Sequence, residues 1–183
     1  MIDHAYFFVP LVYIPASLHC PLVAPTALRL VLLVGLPGSG KSSFAAALVR
    51  RCPQRRLIAT DAIRSHLFGD EATQGHWLKV WQEVDRQFQQ TVQQIASGQV
   101  QEAIYDATNV VRRDRRRAIA IARACGFTTV MSVWLNTPLP ICLERNRQRE
   151  RQVPEAVIFR MQRCLISAPP ALDDGCDRLL EIG

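Results

Sequence analysis

The stretch from Gly35 to Ser42 reads Gly-Leu-Pro-Gly-Ser-Gly-Lys-Ser and matches G-x-x-x-x-G-K-[ST], the pattern of a phosphate-binding loop (P-loop, or Walker A motif). An apolar run precedes it and a helix-forming run follows, which is the strand–turn–helix context that the pattern requires. Its glycines let backbone N–H groups point into the turn, and the helix N-terminus adds a partial positive charge. The stretch therefore predicts a nucleoside triphosphate site.

The residue types within that site predict which part of the ligand each residue contacts. The nucleotide phosphates are expected against the loop residues Gly35, Pro37, Gly38, Ser39 and Gly40. Lys41 can reach the β- and γ-phosphates, and the Ser42 hydroxyl can bind Mg²⁺. The expected ligands are ATP and Mg²⁺.

Polar residues also follow two further predicted strands. Asp61 and Arg64 come after the second strand, and Asp106 and Asn109 come at the end of the third. In open α/β sheets ligands bind beyond the carboxyl ends of the strands, so we expect these side chains to share one crevice with the P-loop. Arg64, Asp106 and Asn109 are predicted to contact a second substrate there, and Asp106 is also a candidate for the metal.

Two interpretations of the acidic residues stay open from their positions alone. Asp61 could act as a general base that takes a proton from an attacking hydroxyl, or it could cap the helix that follows. Arg64 lies three residues on, on the same helical face, and could hold a phosphate of the acceptor. Asp106 could act on Mg²⁺ through water, or it could be a capping residue as well.

Arginines cluster in two runs. Five of them between Arg112 and Arg117 cover most of a helix circumference, so most are expected in solvent, with one or two left to track a polyanion. In the second run, Arg145 and Arg149 are spaced i, i+4, and Arg147 and Arg151 form another such pair. Spacing of this kind suits a lid that closes over phosphates, and it also suits a charge-laced surface helix.

Composition sets the broad class of the protein. The chain has 183 residues, enough for one α/β domain, and a net charge of +6 built from 20 arginines and only 2 lysines. This balance favours an anionic partner, although a nucleotide site accounts for part of it. The six cysteines are scattered without a C-x-x-C pair, so we expect no zinc site or disulfide framework and a reducing, cytoplasmic setting.

Residues 1–26 differ from the rest of the chain because four prolines interrupt a mostly apolar stretch. The stretch has no basic n-region and no apolar run of about 20 residues, so neither a signal peptide nor a membrane span is expected. We predict a poorly ordered extension, or a translation start set too far upstream, with a weak membrane or partner contact as the alternative. The globular domain is then 27–183.

From residue 28 onward, strand-like and helix-like segments alternate. Predicted strands are Arg29–Val34, Arg56–Ala59, Val100–Tyr105, Phe127–Leu135 and Asp177–Ile182. Such alternation predicts βαβ units, hence an α/β fold with a parallel sheet of about five strands and helices on both faces in three α/β/α layers. The Trp and Phe stripe of the long helix over 76–97 is interpreted as core packing rather than a base-stacking platform.

Taken in chain order, the motifs resemble those of the polynucleotide 5′-hydroxyl kinase family of P-loop kinases. These motifs are G-L-P-G-S-G-K-S, T-D-A-I-R, Y-D-A-T-N, W-L-N-T-P, C-L-E-R-N-R-Q-R and V-P-E, and they span about residues 29–163. The resemblance implies a kinase-type P-loop NTPase fold. It also implies transfer of the γ-phosphate of ATP to a hydroxyl, which in the best-known members is the 5′-OH of a nucleic acid.

By position, the resemblance also implies roles. Asp61 looks like the base that activates the hydroxyl, and Arg64 like the clamp on the acceptor's neighbouring phosphate. Arg149 falls where the family places a lid arginine on the ATP phosphates, with Arg145 one turn before it. The same motifs resemble kinases of small hydroxyl compounds and the kinase of seryl-tRNA, and a non-catalytic nucleotide-binding module is a further alternative. The D-x-D-G-[TS] phosphatase motif is absent from the sequence.

Overall fold

The computed structural model describes residues 14–18, 27–69 and 77–183. Its strands are β1 (Arg29–Val34), β2 (Arg55–Ala59), β3 (Glu102–Asp106), β4 (Thr129–Leu135) and β5 (Arg178–Ile182). Its α-helices are α1 (Lys41–Arg51), α2 (Thr60–Phe68), α3 (Trp77–Ala96), α4 (Arg112–Cys125), α5 (Leu139–Arg147) and α6 (Glu155–Ser167). Two short 3₁₀-helices cover Ala16–Leu18 and Leu172–Asp174.

The five strands form one parallel sheet in the order β2-β3-β1-β4-β5. The central strand β1 pairs with β3 and β4, with Leu30 opposite Ala103 on one side and Val130 on the other. All five strands point their carboxyl ends at the same edge, so the loops that follow β1, β2 and β3 meet there. The predicted five-stranded parallel sheet is confirmed.

Helices cover both faces of the sheet. Alternate residues of β1 serve opposite sides: Leu30 and Leu32 pack with buried residues of α3, α4 and α6, while Val31 and Leu33 pack with α1. A strand that is buried on both faces is apolar throughout, as Leu30–Val34 is. The predicted three-layer α/β/α arrangement is confirmed.

The long helix α3 contributes a continuous buried stripe. Val80, Val84 and Phe88 are at most 2% exposed, and the Phe88 ring lies edge-on to Tyr105 and Phe127, with centroids 5.4 and 5.6 Å apart. This confirms core packing for that stripe, whereas Trp77 at the start of the helix stays 48% exposed. The predicted helix start at residue 76 lies outside the described residues.

Residues 14–18 differ from the predicted loose extension. Leu18 is fully buried, Ile14 is 6% exposed, and both belong to the core on the α1 side of the sheet. The buried Arg55 guanidinium donates to the Leu18 carbonyl over 2.5 Å and is itself paired with Glu102, so the segment is attached to β2. The remainder of residues 1–26 lies outside the described part of the chain.

The cysteines follow the sequence expectation only in part. Cys125, Cys142, Cys164 and Cys176 are free thiols, whereas Cys52 is disulfide-bonded. The described ranges contain no cluster of His, Cys, Asp and Glu that could bind a metal through three such residues. Nor do they contain a helix long and apolar enough to cross a bilayer.

Candidate active site

The P-loop joins β1 to α1 at the carboxyl edge of the sheet. Gly38 and Gly40 have φ angles of 82° and 94°, in the left-handed region where glycine alone is unstrained, and Gly40 is the N-cap of α1. At the other end of the loop, the Gly35 N–H donates to the Thr108 carbonyl over 3.0 Å. The loop is therefore attached to the segment that follows β3, and the positive end of α1 faces the same space.

Lys41 is buried inside this loop, with 8% of its surface exposed. Its Nζ donates to the Leu36 carbonyl over 2.7 Å and to Ser39 Oγ over 3.4 Å. The pKa of Lys41 is lowered to about 8, chiefly by burial; the Asp106 charge opposes this shift and the nearby Arg149 charge contributes to it. A buried ammonium with only neutral oxygens as hydrogen-bond partners is suited to an anion such as a phosphate group.

Asp106 lies at the end of β3, next to the start of α1. It is 9% exposed, and burial raises the pKa of its carboxyl group, against a hydrogen bond from the Ser42 hydroxyl and the charge of Lys41. A carboxylate and a hydroxyl side by side next to a phosphate cradle are the oxygen ligands that Mg²⁺ uses. The residues present therefore fit MgATP, with Ser42 and Asp106 on the metal side.

Asp61 and Arg64 form an ion pair on α2, whose first residue Thr60 contacts the Asp106 carbonyl through its hydroxyl at 3.4 Å. The Asp61 side chain is 59% exposed and that of Arg64 15%. The N-cap of α2 is Ala59, and no side chain caps the helix. Asp61 is thus not the capping residue of α2, so the capping alternative for its carboxylate does not hold.

Asp106 has the same capping alternative as Asp61. It is the last residue of β3, and the N-cap of α4 is Val111. Asp106 is therefore not a helix cap. Burial is the largest cause of the pKa shifts of both Asp106 and Lys41. The Asp61 charge adds to the raised pKa of Asp106 and opposes the lowering of the pKa of Lys41. The acidic residues after β2 and β3 thus lie within electrostatic range of the P-loop lysine.

Asn109 is predicted from the sequence to contact the acceptor, but in the structure its side chain bonds to the protein backbone. It is 5% exposed, has a left-handed backbone with φ of 49°, and donates from Nδ2 to the Leu33 carbonyl over 2.7 Å. Asparagine tolerates this conformation better than most residues. Its amide nitrogen joins the loop after β3 to the end of β1, so the geometry gives it a bracing contact inside the protein.

Helix α5 packs directly on the P-loop. The Thr137 hydroxyl donates to the Ser39 carbonyl over 3.0 Å, and Arg145 Nη1 lies 3.8 Å from the position that a Cβ atom on Gly40 would take. A motif that sequence analysis noted only as part of a resemblance, W-L-N-T-P, thus supplies a hydrogen bond to the nucleotide loop. Arg145 thus lies beside the P-loop, and its contact with the nucleotide stays a prediction.

Arg149 reaches the site by a different route from the one predicted. Helix α5 ends at Arg147, so Arg145 and Arg149 do not share a helical face, and that part of the prediction is wrong. Buried Asn146 turns the chain by bonding both the N–H and the carbonyl of Val153. Arg149 nevertheless stays close enough for its charge to lower the pKa values of Lys41 and Asp106.

The arginines of α4 have several distinct environments. Arg112 pairs with Asp173 and Asp174, and the Arg117 guanidinium lies 4.8 Å above the Trp81 ring. Arg115 is 1% exposed and bonds Asp174 at 2.9 Å, a buried contact that no local sequence pattern signals because its partner lies far along the chain. The remaining Arg113 and Arg116 are exposed to solvent.

The amino-acid sequence is similar to that of known proteins. A family model described as an AAA domain matches residues 30–166. The L-seryl-tRNA(Sec) kinase of Methanococcus maripaludis is 29% identical over 136 residues, which cover 72% of this chain and 50% of that protein. The chain thus spans half the length of this curated relative.

Solved structures share the fold. A fungal RNA kinase superposes with a TM-score of 0.60 at 15% identity, over 86% of this chain and 38% of that chain. The Mycobacterium tuberculosis APS kinase, solved with AMPPNP and APS, superposes with a TM-score of 0.54 at 19% identity, over 86% of this chain and 90% of that chain. At these identities the likeness concerns the P-loop kinase fold alone.

Proposed function

This chain belongs to the AAA domain family, whose model matches residues 30–166, and from that premise we propose that it is an ATP- and Mg²⁺-dependent kinase. The γ-phosphate goes to a hydroxyl group, by preference the 5′-OH of a nucleic acid. The observation that carries the proposal is that Asp61, paired with Arg64, lies close enough to buried Lys41 and Asp106 for its charge to act on the pKa values of both.

The residues proposed to bind MgATP and those proposed to bind the acceptor have separate roles. Bound MgATP supplies the phosphoryl group and the metal charge that neutralises its oxygens. Lys41, Arg145 and Arg149 would contact the phosphates of the nucleotide. Ser42 and Asp106 would hold the metal. Phosphoryl transfer requires little covalent chemistry from the protein, so positioning and charge account for most of the rate.

On the acceptor side, Asp61 takes the proton of the attacking hydroxyl. Its exposed carboxylate makes no capping bond and forms an ion pair with Arg64. Arg64 offers a guanidinium for a phosphate next to that hydroxyl, a geometry in which arginine binds with two parallel hydrogen bonds. Asn109 holds the loop that carries Asp106 rather than contacting the acceptor.

Three features support a nucleic acid acceptor. The net charge is +6, the curated relative is named for a tRNA substrate, and the fungal structure is named an RNA kinase. The competing proposal is a kinase of small hydroxyl compounds, favoured by the near-complete span of the APS kinase chain. Cytoplasmic location and the absence of a membrane contact stay predictions.

An acceptor panel tests the proposal. Labelled ATP is incubated with 5′-OH oligonucleotides of DNA and RNA, with nucleosides, and with hydroxyl metabolites including sugars. We expect label on an oligonucleotide. Label on a metabolite alone supports the small-molecule kinase, and ATP binding without transfer to any acceptor supports the binding module.

Asp61→Asn tests the base. We expect kcat to fall about 10²- to 10⁴-fold with the affinity for ATP retained. Glu144→Gln is the matched control, because Glu144 is an exposed carboxylate on α5 without an ion pair in the described part of the chain. A kcat within about tenfold of wild type, or a loss confined to the acceptor KM, would mean that Asp61 only positions Arg64.

A further inference from the structure

A second basic cavity opens between the first turn of α4 and the C-terminal half of α6. Its volume is about 370 Å³, and four arginines line it, Arg112, Arg113, Arg160 and Arg163. Val111 and Ala168 form part of its wall. We call this cavity the arginine groove. The nucleotide site described above uses none of these arginines.

Most of the positive charge in the arginine groove is uncompensated. Arg112 is neutralised by Asp173 and Asp174, and Arg113 has only a long 3.7 Å contact with Asp114. Arg160 and Arg163 are exposed, and neither makes an ion pair with any residue that the structure describes. Three guanidinium groups of like charge repel one another, so their proximity is favourable chiefly when an anion lies between them.

The geometry of the arginine groove suits phosphate. Arg160 and Arg163 are three residues apart on one face of α6, and they face the N-terminal turn of α4, where the helix dipole adds further positive charge. Guanidinium groups bind phosphate oxygens in pairs of parallel hydrogen bonds. A row of such groups fits a chain of phosphates better than a single small anion.

The arginine groove is connected to the candidate active site. Val111 lies five residues after Asp106, so the groove wall is at most about 18 Å from the metal-side carboxylate. Buried Arg115 bonds the Asn109 carbonyl at 3.2 Å and the Ala168 carbonyl at 2.8 Å, which fixes the loop after β3 against the groove wall. Thr60, next to Asp61, contacts the Asp106 carbonyl at 3.4 Å, so a strand whose end lies at Asp61 can reach this groove within a few nucleotides.

We infer that the arginine groove binds the sugar–phosphate backbone of the acceptor strand, on the side away from its terminal nucleotide. The inference rests on the proposed nucleic acid kinase function and deepens it. Arg64 holds the phosphate next to the reacting hydroxyl, whereas Arg113, Arg160 and Arg163 hold phosphates further along. Long acceptors gain affinity from the groove, and a single nucleotide does not.

Direct binding tests this without catalysis. A 3′-labelled, 5′-OH single strand of about twelve nucleotides is titrated with the protein at several salt concentrations, and binding is followed by fluorescence anisotropy. Removal of two phosphate contacts in Arg160→Gln/Arg163→Gln should reduce the slope of log K against log salt by about 1.4 and weaken binding about tenfold near 0.1 M salt. An unchanged slope and affinity overturn the inference.

Arg50→Gln/Arg51→Gln is the matched control. Both residues are exposed at the C-terminal end of α1, away from the P-loop, and carry the same charge as the groove pair. The control variant should bind the strand as wild type does. An equal loss in both variants would show a general charge effect and overturn a specific groove.

Kinetics separates the inference from the function on which it rests. In Arg160→Gln/Arg163→Gln, KM should rise about tenfold for the long strand and stay unchanged for a nucleoside 3′-monophosphate and for ATP. Equal changes for long and short acceptors overturn the groove assignment. If wild type phosphorylates neither acceptor, the proposed function fails, and the anisotropy slopes alone then decide whether the groove binds nucleic acid.

Discussion

A Cβ atom on Gly38 would overlap the carbonyl oxygen of Cys142, so the P-loop and helix α5 meet backbone against backbone. Two main chains can approach this closely only where one residue lacks a side chain. Because α5 includes Arg145 and Arg149 follows two residues after its end, this contact helps to fix the position of both arginines relative to the P-loop. The nucleotide loop and helix α5 thus form one structural unit.

Gly38→Ala is expected to damage this unit. Alanine at a φ of 82° costs about 1–2 kcal/mol of strain, and the overlap with a backbone carbonyl adds about 1–3 kcal/mol, because no side-chain rotation can relieve it. The control is Gly98→Ala, which has a similar φ of 75° and open space around the added atom. Denaturant unfolding and ATP titration measure both variants. Equal losses in the two would show that α5 is not rigidly packed on the loop.

The sequence predicts the fold well because its signals are local. β1 is apolar throughout and is followed at once by the P-loop pattern, so strand, turn and helix are each indicated by adjacent residues. The limits of the elements are less well predicted. β4 begins at Thr129 rather than Phe127, because Gly126 ends α4 in a left-handed conformation and the Phe127 N–H still bonds the Ala122 carbonyl of that helix.

Arg64 should govern acceptor binding without affecting ATP. Arg64→Gln removes a charged donor, so KM for a nucleoside 3′-phosphate should rise about 10- to 100-fold while KM for ATP and for an unphosphorylated nucleoside barely change. Trp77, whose ring lies 5.7 Å from the Arg64 guanidinium, supports it by a cation–π contact. Trp77→Ala should therefore raise the same KM only about two- to fivefold.

Initial rates with the three substrates measure these effects, and Arg50→Gln serves as the control for lost surface charge. A rise in KM for the unphosphorylated nucleoside as large as that for its phosphate would contradict a phosphate-binding role for Arg64. A larger effect of Trp77→Ala than of Arg64→Gln would instead indicate that the indole ring contacts the acceptor itself.

We expect the activity to decrease at high pH because Lys41 loses its proton. Burial lowers the pKa of this lysine from 10.5 to about 8, and the charged form is the one that binds phosphate. kcat/KM for ATP should therefore fall as the pH rises above about 8. Lys41→Met should lose transfer at every pH, whereas Lys79→Met, at the exposed start of α3, should retain the wild-type profile.

The same shift predicts how stability depends on pH. Between about pH 8 and 10.5 the unfolded chain holds a proton on Lys41 that the folded chain has lost, so the free energy of unfolding of wild type should rise with pH. Lys41→Met should be more stable than wild type below pH 8, by up to about 3 kcal/mol, and the difference should shrink as the pH approaches 10.5. A constant difference across this range would show that Lys41 is not desolvated.

The candidate site is predictable from sequence where each residue sits at the end of a strand. Lys41, Asp61 and Asp106 follow three strands that are neighbours in the sheet, and the general rule for parallel sheets brings them together. The environments of Arg149 and Asn109 could not be predicted from this rule. Helix α5 ends at Arg147, where Asn146 bonds to Val153, and Asn109 bonds to Leu33 in β1. Neither hydrogen bond is signalled by a sequence pattern.

The buried Arg115–Asp174 pair holds the loop after β3, which begins at the metal-side residue Asp106. Arg115 donates to the Asp174 carboxylate and to four backbone carbonyls, those of Asn109, Val110, Ala168 and Pro169. Arg115→Met leaves a buried carboxylate and several carbonyls without partners, which should cost about 3–5 kcal/mol of unfolding free energy. Arg116→Met, one residue on and exposed, should change stability by less than about 0.5 kcal/mol.

Arg115→Lys distinguishes geometry from charge. A lysine retains the positive charge but cannot direct donors to five acceptors at once, so we expect it to recover less than half of the loss. The loop between Asp106 and Val111 should then move, and kcat should fall in both Arg115 variants even where the protein stays folded. Thermal unfolding together with single-turnover transfer measures the two effects, and full recovery by Arg115→Lys would show that the charge alone suffices.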